Sequence, residues 1–87
     1  MRKLRFGDRI EVCWEDASSR GGWTAAEALK ELPASCISIG YLVKRDRSGV
    51  WLAGSLHTKE LAAGECSEVG EASFIPAGGI KRIRQLR

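Results

Sequence analysis

Apolar and polar positions alternate from Arg9 to Trp14, with Ile10, Val12 and Trp14 on one side and Arg9, Glu11 and Cys13 on the other. A period of two is that of a half-buried strand. The same period returns over 36–45, where Ile37, Ile39, Tyr41 and Val43 share one face and Cys36, Ser38, Gly40 and Leu42 the other. Neither face of that segment is strongly polar, so it is expected to be a central strand. Asp46-Arg47-Ser48-Gly49 is a short turn, and the β-branched and aromatic run over 50–56 makes the pair a hairpin. Further strands are expected over 71–75 and 80–86. They are separated by a corner at Pro76-Ala77-Gly78-Gly79, where proline fixes φ and the glycines permit backbone angles closed to other residues.

The segments between strands read differently from one another. Glu15 to Gly22 is polar, closes on Arg20-Gly21-Gly22 and is expected to be a loop. Thr24-Ala25-Ala26-Glu27 has the spacing of a capping box, so a helix of about two turns is expected to begin at Thr24 and to stop before Pro33. Trp23 precedes the cap in the position of a hydrophobic staple. The stretch 57–70 is polar, carries Glu60, Glu65 and Glu68 without clear period, and is expected to be a long loop or hairpin tip. Five short strands, a decorated first loop and a proline corner predict a mainly β fold. It is expected to be a single domain over 1–87, a small SH3-like or Sm-like five-stranded barrel with one short helix in the first long loop. Closure of such a sheet removes edges that invite aggregation. An OB-type barrel is the alternative, with its helix later in the chain.

Composition narrows the function classes. At 87 residues, 44% hydrophobic and 29% charged, the chain is an ordinary globular one with a modest core. No apolar run reaches the roughly 20 residues that span a bilayer, and the N-terminus lacks the hydrophobic region of a secretory signal. Cys13, Cys36 and Cys66 are an odd set without disulfide spacing, which predicts thiols in a reducing cytosol, with Cys13 and Cys36 as small core residues. The net charge of +3 conceals a division. Residues 1–9 hold four basic groups against one acid, 81–87 hold four against none, and the remainder hold six against ten.

Candidate chemistry is sparse. Tetrahedral zinc would require Cys13, Cys36, Cys66 and His57 to converge, and no C-x-x-C pair favours that, so no metal or cofactor is expected. No nucleophile elbow, phosphate loop or metallohydrolase signature is present, so catalysis is not expected, and His57 reads as a solvated residue after a strand. The tryptophans are more suggestive. Trp14 and Trp23 flank a loop holding Asp16, Arg20 and two glycines, and aromatic faces, guanidinium and glycine amides are the chemistry of a nucleotide pocket. Lys44 and Arg45 at the central hairpin could clamp a phosphate. The packing alternative is that Trp14 and Trp51 fill the interior, Trp23 staples the helix and the hairpin charges are merely solvated. Arg2, Lys3 and Arg5 with Lys81, Arg82, Arg84 and Arg87 form a basic patch if the termini are neighbouring strands.

Val12-Cys13-Trp14-Glu15-Asp16-Ala17, Gly22-Trp23, Ser38-Ile39-Gly40-Tyr41-Leu42-Val43 and Phe74-Ile75-Pro76 with Ile80 together resemble short hypothetical proteins of bacteriophages and prophages. That resemblance implies a compact barrel in the host bacterial cytosol and a role in nucleic-acid transactions or in neutralising host defence. The leading expectation is a non-enzymatic binding module, homo-oligomeric, that sequesters a small anionic, nucleotide-like ligand at Trp14, Asp16, Arg20, Trp23, Lys44 and Arg45. The second is a barrel that binds single-stranded nucleic acid through basic termini and exposed aromatics. The third is a module that docks on a host enzyme.

Overall fold

The computed structural model describes residues 3–16, 34–64 and 67–87. The helix expected over 24–32, Arg20, Trp23 and Cys66 lie outside them. Within them the strands are β1 (Arg9–Asp16), β2 (Ala34–Asp46), β3 (Gly49–Ala53), β4 (Ser55–Leu56), β5 (Val69–Gly70), β6 (Ser73–Pro76) and β7 (Ile80–Gln85). A helix, α1 (Thr58–Ala63), lies between β4 and β5, and a single 3₁₀ turn (Ala77–Gly79) joins β6 to β7. The chain is thus mainly β. Five strands form one antiparallel sheet in the order β6-β3-β2-β1-β7, while β4 and β5 pair as a small ribbon.

β2 is the central strand, as its two apolar faces predict. Its partner residues show which face is which. Ile10 lies opposite Gly40, Val12 opposite Ser38 and Trp14 opposite Cys36. The small residues of β2 therefore face inward, leaving room for the large side chains of β1, and Ile37 and Ile39 face out. Ile10, Val12, Leu42, Val50, Leu52 and Ile75 form the buried cluster, and Leu4, Trp14, Ile80 and Ile83 pack against it. Burying each such aliphatic side chain contributes about 1.5–3 kcal/mol, an upper figure because unfolded chains already hide some apolar area.

The sheet cannot be flat. β6 and β7 are its opposite edges, about 19 Å apart across four spacings of a planar sheet, yet four residue steps from Pro76 to Ile80 reach at most about 14 Å. The sheet therefore coils, and the 3₁₀ turn packs against both β1 and β3. The amide of Ala77 donates to the carbonyl of Ser48 at 2.9 Å, while Gly79 lies so near β1 that a Cβ there would meet the carbonyl oxygen of Glu15 at 2.6 Å. Gly78 and Gly79 have no positive φ. The expectation that this corner uses special backbone angles is thus corrected: Gly79 is required for close approach instead.

Two further expectations, and the packing alternative for Trp51, are corrected. The stretch 57–70 is not a plain loop: as the hairpin-tip alternative has it, it connects the paired strands β4 and β5, but it holds a helix, because Thr58–Ala63 is rich in helix formers and Gly64, at φ 72°, supplies the left-handed residue that ends α1. Cys13 is not a core residue: it lies on the outer face opposite Ile37 and Arg82. Trp51 does not fill the interior, since Val50 and Leu52 take the inward positions and leave it 41% exposed. No helix among the described residues is long and apolar enough to cross a membrane.

Candidate functional site

The site begins with an irregularity in β2. Strict alternation from Leu42 would send Lys44 inward, but Val43 is an extra residue in the ladder, so Leu42 lies opposite Leu52 and Lys44 opposite Trp51. A β-bulge of this kind re-aims every side chain that follows it. Here it brings Lys44 onto the outer face. Trp51 in turn lies opposite Phe74 of β6, and the two rings are 4.9 Å apart between centroids at 45°. Such a tilted pair lies within the favourable range for aromatic contact. Both rings are more than one-third exposed. Lys44, Trp51 and Phe74 thus form one row across three strands, facing solvent.

The row continues toward β1 and β7. Tyr41 lies opposite Arg9, Ile39 opposite Glu11 and Ile37 opposite Cys13. Ile37 and Ile39 are 66% and 64% exposed, unusual for two isoleucines on a central strand. Glu11 and Cys13 then face Arg84 and Arg82 of β7, so β1 and β7 are neighbours and Arg9 shares a sheet face with Arg82 and Arg84. Of the other basic residues near the N-terminus, Arg2 lies outside the described residues and Lys3 lines a groove with Lys44 and Arg45 instead. Arg84 is held by Glu11 at 2.9 Å and Lys81 by Glu15 at 3.7 Å, whereas Arg82 approaches the thiol of Cys13 at 3.9 Å. The outer face consequently carries Arg9, Lys44, Lys81, Arg82 and Arg84 against Glu11 and Glu15.

The hairpin tip that presents Lys44 and Arg45 is ordered by Asp46. Its Oδ1 accepts from the amide of Ser48 at 2.8 Å and from the Ser48 hydroxyl, and Oδ2 lies 3.5 Å from Lys44 Nζ. These bonds, the Ser48 hydroxyl's first, hold the Asp46 carboxyl below its ordinary value. Lys3, Phe6, Val43, Lys44 and Arg45 line a shallow groove of about 220 Å³ beside this tip.

Of the six residues expected to bind ligand, four are described, and these four lie in two separate groups. Trp14 is half-buried, packs on the core and spends its indole N–H on Ser38 Oγ at 2.9 Å. Asp16 is exposed at the far end of β1, opposite Ala34. Lys44 is eight residues along β2 from Cys36, the partner of Trp14, or about 26 Å. Lys44 and Arg45 therefore belong to the opposite end of the sheet from Trp14 and Asp16. Arg20 and Trp23 lie outside the described residues. Cys13 and Cys36 face opposite sides of the sheet, and His57 follows β4, well exposed and 3.9 Å from Glu68.

Sequence reasoning passed over Trp51 and Phe74. A signal for Trp51 existed: if Val50 and Leu52 are inward, the residue between them is not. The continuous apolar run Val50-Trp51-Leu52-Ala53 concealed it. Comparison of the chain with protein-family models, with curated proteins and with solved structures finds no match.

Proposed function

We propose that this chain is a non-enzymatic module that binds single-stranded nucleic acid on the outer face of its sheet. The observation that carries the reading is the exposed Trp51–Phe74 pair with Lys44 beside it in register. Bases stack on aromatic faces irrespective of sequence, and cations along the same face follow the phosphates. The bulge at Val43 supports the reading, because it turns toward solvent a lysine that alternation would have pointed at the core. A small-molecule pocket would enclose most of its ligand. The grooves described here are open to solvent, which suits an extended strand better than a sequestered nucleotide. We further propose that the coiled sheet is a small barrel of the SH3-like or Sm-like type, with the 3₁₀ turn closing the gap between β6 and β7.

The test is fluorescence anisotropy with labelled oligothymidylate and oligoadenylate at low salt, comparing the wild-type chain with Trp51→Ala. Loss of a base-stacking ring should weaken binding by about 5- to 150-fold, and wild-type affinity should fall steeply as salt rises. Negligible binding at low salt would exclude this function. Tight binding of a mononucleotide with none of the oligomers would return the weight to nucleotide sequestration.

A further inference from the structure

We infer that the groove beside Tyr41 is a second nucleotide subsite, in which Tyr41 receives a base while Arg9 and Arg87 receive the adjoining phosphate. The inference rests on the single-strand reading above. The groove holds about 480 Å³ and is lined by Arg9, Ile39, Tyr41, Leu86 and Arg87, with the glycines at 40 and 54. Two guanidinium groups, a phenol and an apolar floor are a donor set for an anion that carries a flat ring. Neither Arg9 nor Arg87 has an ion-pair partner among the described residues.

Position makes this groove a continuation of the first subsite. Tyr41 lies opposite Ala53 on β3, and Ala53 is two residues from Trp51 on the same strand. One strand spacing and one two-residue repeat separate the two positions by roughly 8 Å, a distance that one step of an extended nucleotide chain can bridge. Tyr41 also lies opposite Arg9 on β1, and the amide of Leu86 donates to the carbonyl of Arg9 at 2.8 Å. That bond holds residue 86 beside β1, and Arg87 next to it lines the groove. The path of the strand is then diagonal, from Phe74 and Trp51 across β2 to Arg9 of β1 and residues 86–87. Two carboxylates lie beside it: Glu11, opposite Ile39, is paired with Arg84, and Glu71 reaches Gly54, where a Cβ would lie 2.8 Å from its Oε2. Removing the Glu71 charge should strengthen the subsite.

The experiment titrates the full chain with labelled hexathymidylate over a salt series and with thymidine monophosphate as the single-nucleotide probe. Arg9→Gln, Arg87→Gln and the double variant are compared with wild type. Each lost phosphate contact should reduce the slope of log K against log salt by about 0.7, and quenching of Trp51 by the monophosphate should be unchanged. Tyr41→Ala should weaken hexamer binding about 5- to 150-fold and Tyr41→Phe should restore it, since the ring is what stacks. Glu71→Gln should tighten the hexamer. Hexamer binding by the double variant with wild-type slope and affinity would overturn the subsite while leaving the Trp51–Phe74 platform standing. Absence of hexamer binding by the wild-type chain would overturn both.

Discussion

Ile75 and Ile37 are chemically identical, and their surroundings make opposite predictions for the same truncation. Ile75 is 2% exposed within the core cluster, whereas Ile37 is 66% exposed on the outer face. Ile75→Ala removes three methylene equivalents from a packed interior and leaves a cavity, so it should cost about 2–5 kcal/mol. Ile37→Ala removes atoms that already touch water and should change stability by about 0.5 kcal/mol or less. Urea unfolding checks both: the midpoint should fall sharply for Ile75→Ala with an unchanged slope and barely move for Ile37→Ala. A large loss at Ile37 would mean that the outer face is covered in solution. The same logic separates the tryptophans. Trp14 shares its parity with Ile10 and Val12, so its inward direction could be read directly from β1. Trp51 stands in an unbroken apolar run, where side-chain chemistry does not reveal direction and only the partner strands do.

Among the elements, the β2–β3 hairpin was the most legible, because its turn chemistry is local. Asp46 accepts from the amide and hydroxyl of Ser48, two residues on, which is how an aspartate builds a turn from its own side chain. Gly49 follows at φ 152°, pressed against the carbonyl of Ile75. The bonds to Asp46 favour its charged form and lower its folded pKa. A carboxylate whose folded pKa is depressed contributes stability above its unfolded pKa and loses that contribution as pH falls through the folded value. The hairpin turn should therefore loosen only below the ordinary aspartate range. In an NMR titration, Asp46 should titrate below an unperturbed aspartate, and Ser48→Ala should raise its midpoint toward that ordinary value. An identical midpoint in the variant would show that the hydroxyl is not the main cause. The bulge at Val43 was not legible, because nothing in Leu42-Val43-Lys44 departs from strand composition and the extra residue exists only relative to β3. Nor was α1 read in advance: its run of helix formers is only six residues long, too short to show a helical period, and the acidic residues around it have none.

At the scale of the whole molecule, the connection of β6 to β7 decides the shape, and it was half legible. Pro76 and the glycines announce a corner, but why two glycines follow is visible only when β1 is beside them. Gly79 sits where a Cβ would come within 2.6 Å of the Glu15 carbonyl, whereas nothing lies within 4 Å of the corresponding point at Gly78. The paired glycines are therefore unequal. Gly79→Ala must push the 3₁₀ turn away from β1, and backbone cannot yield as a flexible side chain can. The ladder between Trp14 and Ile80 begins one residue later, so the displacement should propagate into β7 and loosen the join between the sheet's two edges. Gly78→Ala meets no obstacle and has no positive φ to lose, so reduced freedom of the unfolded chain should leave it neutral or more stable by about 0.4–1 kcal/mol. Thermal unfolding with amide exchange of β7 distinguishes these outcomes. Gly79→Ala should lower the midpoint and speed exchange along 80–85, and Gly78→Ala should do neither. Should the two substitutions behave alike, close packing of the turn on β1 would not be what coils the sheet, and the proposed closure of the barrel would lose its physical basis.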